Sequence, residues 1–204
     1  MNFSCIILAG GKGLRLGSDK ATEKIDAQTL IQHSVKSLLG FGDEIIVVTA
    51  PGKTELGLGD FPQVRVVEDS ATGKGPIMGI YTGLSASNSE LNLVVACDMP
   101  FLNLDLIKFM VSQANACDAV IPRLGGLMEP LHAIYSRSAK NSALELIDSG
   151  SFSLSQLIKR ILVRFVDEGE IDVYDPERLS FFNINFPEDL VKARQILQIR
   201  SSVS

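Results

Sequence analysis

Hydrophobic positions along the chain fall into two kinds of run that take turns. Apolar runs of strand length occur at Phe3–Leu8, 44–50 (EIIVVTA), 64–69 (VRVVED) and 91–98 (LNLVVACD), with shorter ones at 118–122, 131–135, 163–167 and 180–185. Polar residues do not alternate with apolar ones inside them, which is the pattern of strands covered on both faces of a sheet. Between them the apolar spacing changes to that of helices. Leu30, Ile31, Val35, Leu38 and Leu39 make one stripe over 29–39, and Leu106, Phe109, Met110 and Gln113 make another over 104–115, with Asn103 placed to cap it. Stretches 138–148 and 187–199 follow suit. In the last, Pro187 fits the first helical position and two acids follow in the first turn. Strands that alternate with helices predict parallel βαβ units. The expected fold is therefore α/β, a mostly parallel sheet with helices on both faces. No repeat, low-complexity tract or linker divides the chain, so residues 1–204 read as one domain. The longest loop-like stretch is 49–62.

Composition narrows the function classes. Apolar residues make up 46% of the 204, enough for a filled core. The net charge of −5 argues against a nucleic-acid partner, since binding a phosphate backbone calls for a basic excess. No apolar run approaches the ~18 residues of a membrane span, and the N-terminus lacks the basic region of a signal peptide, so a cytoplasmic location is expected. Cys5, Cys97 and Cys117 form no CxxC pair, which argues against structural zinc or a disulfide framework. Cys5 and Cys97 sit in apolar runs and read as small buried hydrophobes.

Positive charge is instead concentrated locally. LAGGKGLRLGSDKA, residues 8–21, follows the first strand directly and carries Lys12, Arg15 and Lys20 among four glycines. In an open α/β sheet ligands bind where strands end and helices begin. Amides freed by Gly10 and Gly11, with cations around them, suit an anion, and phosphate is the natural guest. The stretch matches neither the P-loop nor the GxGxxG fingerprint, so a glycine-rich structural turn stands beside the phosphate-loop reading. Asp98 ends the fourth apolar run in VVACDMP, either as a ligand for Mg²⁺ beside a triphosphate or as a cap of the next helix. Asp69 ends the third run, placed to accept hydrogen bonds from a base or sugar, or to cap a turn. GKGPIMGIYTGL (73–84) reads as a helix whose Gly79 and Gly83 permit close packing, as one wall of the pocket or as a tight seat on the sheet.

These pieces resemble a known family. The opening stretch is similar to the signature LAGGxSxRMGxDKA of the molybdenum cofactor guanylyltransferases and related nucleotidyltransferases, and VVEDS, GPIMGIYTGL, ACDMPFL, EPLHAIY and FFNINFPEDL follow in order over almost the whole chain. The resemblance implies a Rossmann-like nucleotidyltransferase domain that moves GMP from GTP to the phosphate of molybdopterin or Mo-molybdopterin, releasing pyrophosphate. Carried over by position, Leu8, Ala9, Gly10 and Gly11 would cradle the nucleotide. Lys20 would contact its phosphates with Arg15 nearby, Asp69 would sit at the nucleoside, and Asp98 would bind Mg²⁺. Asn183 and Asn185 correspond to asparagines near the pterin, and Glu129 and His132 would line the same cleft. A molybdoenzyme or its chaperone is the partner the family implies. Two departures concern the ligands: Thr49 replaces an asparagine that touches the nucleotide in some members, and Phe186 replaces the threonine of NINTPED. Catalysis needs no general base, because the attacking phosphate oxygen is already anionic. His33 and His132 are accordingly not assigned to proton transfer. Cytidylyl transfer, a sugar or polyol phosphate acceptor, and nucleotide binding without turnover remain as alternatives.

Overall fold

In the computed structural model, which describes residues 3–10, 20–69 and 73–203, the strands join into one sheet. In chain order they are β1 (Phe3–Leu8), β2 (Ile45–Thr49), β3 (Val64–Glu68), β4 (Leu91–Ala96), β5 (Ala119–Leu124), β6 (Leu127–Met128), β7 (His132–Ser136) and β8 (Val163–Asp167). The described α-helices are α1 (Leu30–Leu38), α2 (Pro76–Ala86), α3 (Leu104–Ser112), α4 (Ala139–Asp148), α5 (Leu154–Arg160), α6 (Glu168–Tyr174) and α7 (Pro187–Val203). The spatial order is β3-β2-β1-β4-β7-β5-β6, with β8 also on β5. β1 lies parallel to both β2 and β4, and β2 to β3. β7 runs antiparallel between β4 and β5, and β8 is again parallel to β5.

Side chains of β1 leave the sheet on alternate faces, and each face meets helices. Phe3, Cys5 and Ile7 join Val47, Leu93 and Val95 under α1 and α3, which supply Ile31, Val35, Leu38, Leu106 and Met110. Ile6 joins Ile46, Val48 and Val94 under α2, which supplies Ile80 and Leu84. Two covered faces explain why these strands read as unbroken apolar runs, each fully buried Ile or Val contributing about 1.5–3 kcal/mol. A smaller cluster ties α7 to the start of α1 through Ile25, Leu30, Phe101, Ile184, Leu190 and Ala193.

α2 sits unusually low on the sheet. A Cβ at Gly83 would lie 2.5 Å from Ile6 Cγ2 and 3.3 Å from Val48 Cγ2, so only glycine allows this approach. Asn103 caps α3 as expected, accepting the N–H groups of Asp105 and Leu106. Thr29 and Gln32 form a capping box at α1.

Residues 180–185, expected as a strand, are not one. Leu179–Phe181 form a 3-10 turn, entered through Arg178 at φ +53°, and the chain then runs on without a ladder partner. The buried carboxylate of Asp175 accepts the N–H groups of Leu179 and Ser180, which winds the backbone tight. The two phenylalanines then pack sideways, Phe181 against His132 and Phe182 against Phe101. The antiparallel direction of β7 and the short helices α5 and α6 were not expected. Thr49 ends β2, and the rest of the 49–62 stretch holds turns and bends with no helix or strand. None of the three cysteines is in a disulfide, and Cys5 and Cys97 are buried as expected.

Candidate active site

The chain leaves β1 for β2 on one side and returns to β4 on the other, so the space beyond their C-terminal ends is the switch point of the sheet. A cleft of about 210 Å³ opens there. Leu8, Ala9 and Gly10 form its base and Lys20 one side. Asp69 stands at the β3 end, Asp98 at the β4 end, and Gly75, Pro76 and Gly79 of α2 make a wall. Gly75 caps α2 at φ +73°, which brings the start of the helix, with its orphan amides, to the cleft. The two expectations for α2 hold together: it is packed tight on β1 and it walls the pocket.

Lys20 and Asp98 meet across the opening. Lys20 Nζ donates to Asp98 Oδ2 at 2.7 Å and to Asn185 Oδ1 at 2.7 Å, so one ammonium joins the segment after the glycine loop, the end of β4 and the approach to α7. The Lys20 and Asp98 side chains are only 20% and 15% exposed. The other carboxylate oxygen of Asp98, Oδ1, is buried and has no hydrogen-bond partner among the described residues. The Asp98 backbone is fixed as well, its carbonyl accepting the N–H of Ile184 at 3.0 Å. Asp69 accepts from the Thr82 hydroxyl at 3.0 Å, which aims its carboxylate from β3 across to α2. Thr49 lines the cleft but donates its hydroxyl to Lys53 O, so that group is committed to its own loop.

A second hollow, of about 270 Å³, lies on the other side of Asp98 and is lined by Glu129 and Asn183 as well as Asp98. Burial pushes the Glu129 carboxyl above the usual carboxylate range. Asn183 Nδ2 donates to Phe181 O at 3.1 Å. Asn185 is set by its backbone: Asp189, in the first turn of α7, accepts the N–H groups of Asn185 and Phe186 through Oδ2. Those N–H groups, chiefly that of Asn185, hold the Asp189 carboxyl below the usual range.

His132 does not reach either hollow. Its side chain is fully buried, its ring lies 4.8 Å from that of Phe181, and neither ring nitrogen has a hydrogen-bond partner among the described residues. Burial pushes its pKa down to about 4, against an opposing pull from Asp175. The reason is the two-residue period of β7: Leu131 belongs to the α2 face and lines both hollows, while His132 shares the opposite face with Ile134. Gly11 and Arg15 lie outside the described residues. Thr82 and Asp189 were not singled out from the sequence. For Asp189 a signal existed, an acid at the third helical position reaching back to the cap. His33 pairs with Asp26 at 2.9 Å, away from the clefts.

Among the described residues no cluster of three or more His, Cys, Asp or Glu forms a ready metal cage. A lone carboxylate with an unengaged oxygen does suit Mg²⁺, which takes one or two carboxylates and fills its remaining positions with phosphate oxygens and water. No described helix is long and apolar enough to cross a membrane.

A strand-end carboxylate facing a lysine across the switch point of an α/β sheet is a layout for handling phosphates. The chain belongs to the MobA-like NTP transferase domain family, whose profile matches residues 5–165. A probable molybdenum cofactor guanylyltransferase of Natranaerobius thermophilus is 34% identical over 201 residues, covering 96% of this chain and 97% of the relative. A molybdenum cofactor guanylyltransferase of Syntrophotalea carbinolica is 36% identical over 197 residues, covering 94% and 90%. Among solved structures, molybdopterin-guanine dinucleotide biosynthesis protein A from Archaeoglobus fulgidus superposes with a TM-score of 0.83 at 28% identity, covering 96% of this chain and 98% of that one. The 2-C-methyl-D-erythritol 4-phosphate cytidylyltransferase of Thermus thermophilus shares the fold, with a TM-score of 0.73 at 19% identity.

Proposed function

We propose that this protein transfers GMP from GTP to the terminal phosphate of molybdopterin, with or without molybdenum, forming a guanine dinucleotide and releasing pyrophosphate. The observation that carries this reading is the position of Asp98 between two hollows, one holding Lys20 and the strand-end backbone, the other Glu129 and Asn183. A nucleotide on one side and an acceptor on the other would bring their phosphates together at that carboxylate.

Such a reaction needs alignment and charge neutralisation more than proton transfer. An acceptor phosphate oxygen attacks the α-phosphorus. The bond from that phosphorus to the α–β bridging oxygen breaks, and pyrophosphate leaves with the electron pair. Lys20 would hold negative charge on the transferring and departing phosphates, with Arg15 assigned beside it from the family pattern. The α2 N-terminus and the backbone at Leu8, Ala9 and Gly10 would orient the triphosphate, and Asp69 the nucleoside. Asp98 would be the Mg²⁺ ligand, and the ion when bound would neutralise phosphate charge. Lys20 now occupies Oδ2, which leaves Oδ1 for the ion. Because each donor is preset in a cleft of limited water access, one such contact contributes about 2.7–4 kcal/mol to the transition state.

The test is incubation with Mo-molybdopterin and Mg-GTP or Mg-CTP, with pyrophosphate release and the mass of the pterin product as readouts. The guanine dinucleotide is expected. Formation of the cytosine dinucleotide instead would reassign the base, and pyrophosphate release only with a polyol phosphate would reassign the acceptor.

A further inference from the structure

Among the described residues Lys20 is the only cation that lines the first hollow. A lysine side chain is a point charge on a flexible four-carbon stem, so a fixed ammonium needs fixed acceptors. One acceptor is Asp98 Oδ2, at the end of β4, and the other is Asn185 Oδ1, each at 2.7 Å. Asn185 belongs to no helix or strand. Its backbone is held from both sides instead. Ile184, buried beside Leu30 and Phe101, donates its N–H to Asp98 O at 3.0 Å. The N–H groups of Asn185 and Phe186 both go to Asp189 Oδ2, at 3.0 and 2.9 Å. With these peptide groups fixed, the Cα–Cβ bond of Asn185 has one direction, and Oδ1 meets Lys20. Asn183 shows the contrast: its amide nitrogen turns onto Phe181 O at 3.1 Å, a near neighbour in the chain. α7 is in turn registered against the segment that follows Lys20. Arg194 donates to Ile25 O at 2.8 Å and to Lys24 O at 2.9 Å, and Leu190 and Ala193 share a cluster with Ile25 and Leu30. Asp189 and Lys20 thus sit in one frame.

An acid at the third helical position that reaches back to the cap is by itself a helix-stabilising device. Asp189 does more than that. It takes the N–H before the cap as well as that of the cap, and the residue it fixes carries a side chain that ends on Lys20. Resting on the reading of Lys20 as the phosphate contact, we propose that Asp189 is a positioning residue for nucleotidyl transfer. By fixing Asn185 it holds the Lys20 ammonium where the transferring phosphate will lie. Without Asp189 the Asn185 backbone loses two of its tethers, its side chain turns away, and Lys20 keeps Asp98 Oδ2 alone. The consequence is kinetic, because a displacement of about 1 Å in a positioned group costs up to about 100-fold in rate.

The test compares full-length variants by pyrophosphate release at saturating Mg-GTP and Mo-molybdopterin, each with a thermal melt. Asp189→Ala should lower kcat about 10- to 100-fold while Tm falls by only about 2–4 °C. Asp189→Asn, whose amide oxygen still accepts both N–H groups, should recover kcat to within about threefold of the parent. Asn185→Ala, which leaves the start of α7 intact, should lose about as much as Asp189→Ala. Adding Asp189→Ala to it should cost less than about threefold more, because the route through Asn185 is already gone. A crystal structure of Asp189→Ala gives a readout besides turnover: Lys20 Nζ should lie beyond about 3.5 Å from Asn185 Oδ1. A helix cap with no further role would lower Tm in Asp189→Ala and leave kcat within about threefold, and that result overturns the proposal. So do losses that multiply in the double variant, failure of Asp189→Asn to recover kcat, or a Lys20–Asn185 contact that persists in the Asp189→Ala crystal. Parental turnover in Lys20→Ala would overturn the reading of Lys20 and this proposal with it. Loss of turnover in Lys20→Ala with parental kcat in Asp189→Ala would overturn the positioning role alone.

Discussion

Replacing Asp98 by asparagine keeps the side chain's size and removes its charge, and the structure allows the outcome to be worked in two parts. At 2.7 Å and an effective dielectric of about 20, the attraction between Lys20 and Asp98 is about 6 kcal/mol in gross terms, most of it offset by the desolvation of both groups. In the variant Lys20 retains Asn185 Oδ1 at 2.7 Å and, being 20% exposed, some water. The bond from Ile184 N–H to the residue 98 carbonyl is a backbone contact and survives. The net cost to folding is then about 1–2 kcal/mol, a fall in Tm of roughly 2–8 °C for a chain of this size. Catalysis should suffer more, because the amide can neither hold Mg²⁺ firmly nor offset its charge. The loss expected is about 2.7–4 kcal/mol of transition-state stabilisation, or about 100- to 1000-fold in kcat. Pyrophosphate release at saturating Mg-GTP and acceptor, alongside a thermal melt, measures both parts. A kcat within about threefold of the parent would refute the role given to Asp98. A collapse of the melt would mean that the carboxylate is structural.

Three further outcomes follow from the geometry. Asp69→Asn should raise the KM for GTP about 10- to 100-fold with little change in acceptor KM, as steady-state kinetics with each substrate varied will tell. In Gly83→Ala the new methyl group would meet Ile6 at 2.5 Å, and after the gain in helix propensity the net loss should be about 1–2 kcal/mol, readable as a lower denaturant midpoint. His132 carries a pH prediction. Its folded pKa of about 4 lies below the ordinary 6.5, so the unfolded chain binds the proton first as pH falls. This contribution is complete above pH 6.5 and shrinks toward pH 4 by about 3 kcal/mol in all. Denaturant melts across that range should show the decline, and His132→Leu should flatten it by that amount; an unchanged slope in the variant contradicts the assignment.

The first four strands could be read from the sequence because runs of Ile, Val and Leu dominate them: β1, β2 and β4 are covered on both faces, while the edge strand β3 keeps its apolar run but exposes Arg65 and Glu68. The direction of β7 could not be read, since HAIY packs equally well either way up and only its neighbours β4 and β5 fix it. SFFNIN misled for a related reason: its aromatic residues satisfy strand propensity, yet Asp175, five residues before Ser180, captures the N–H groups that a ladder would have used. The helices α5 and α6 are seven residues each, too short for periodicity to stand out, although Ser153 with Gln156 and Asp167 with Glu170 carry capping signals. That Lys20, Asp69 and Asp98 share one cleft was legible because both aspartates end apolar runs at the same edge of the sheet and Lys20 lies in the glycine-rich stretch that follows the first run. His132 was placed on the wrong side of its strand because the two-residue period gives alternation without saying which face is the cleft. The opposed orientations of Asn183 and Asn185 could not be seen in the letters at all, since each depends on a partner distant in sequence or on a local carbonyl.

The most direct test is a crystal grown with GTP and Mn²⁺ in place of Mg²⁺, located by its anomalous scattering. The triphosphate should lie along Leu8, Ala9 and Gly10 with Lys20 on its phosphates, the nucleoside toward Asp69, and the manganese bonded to the Asp98 carboxylate. A nucleotide seated elsewhere, or a metal ion that avoids Asp98, would contradict the assignment of this cleft.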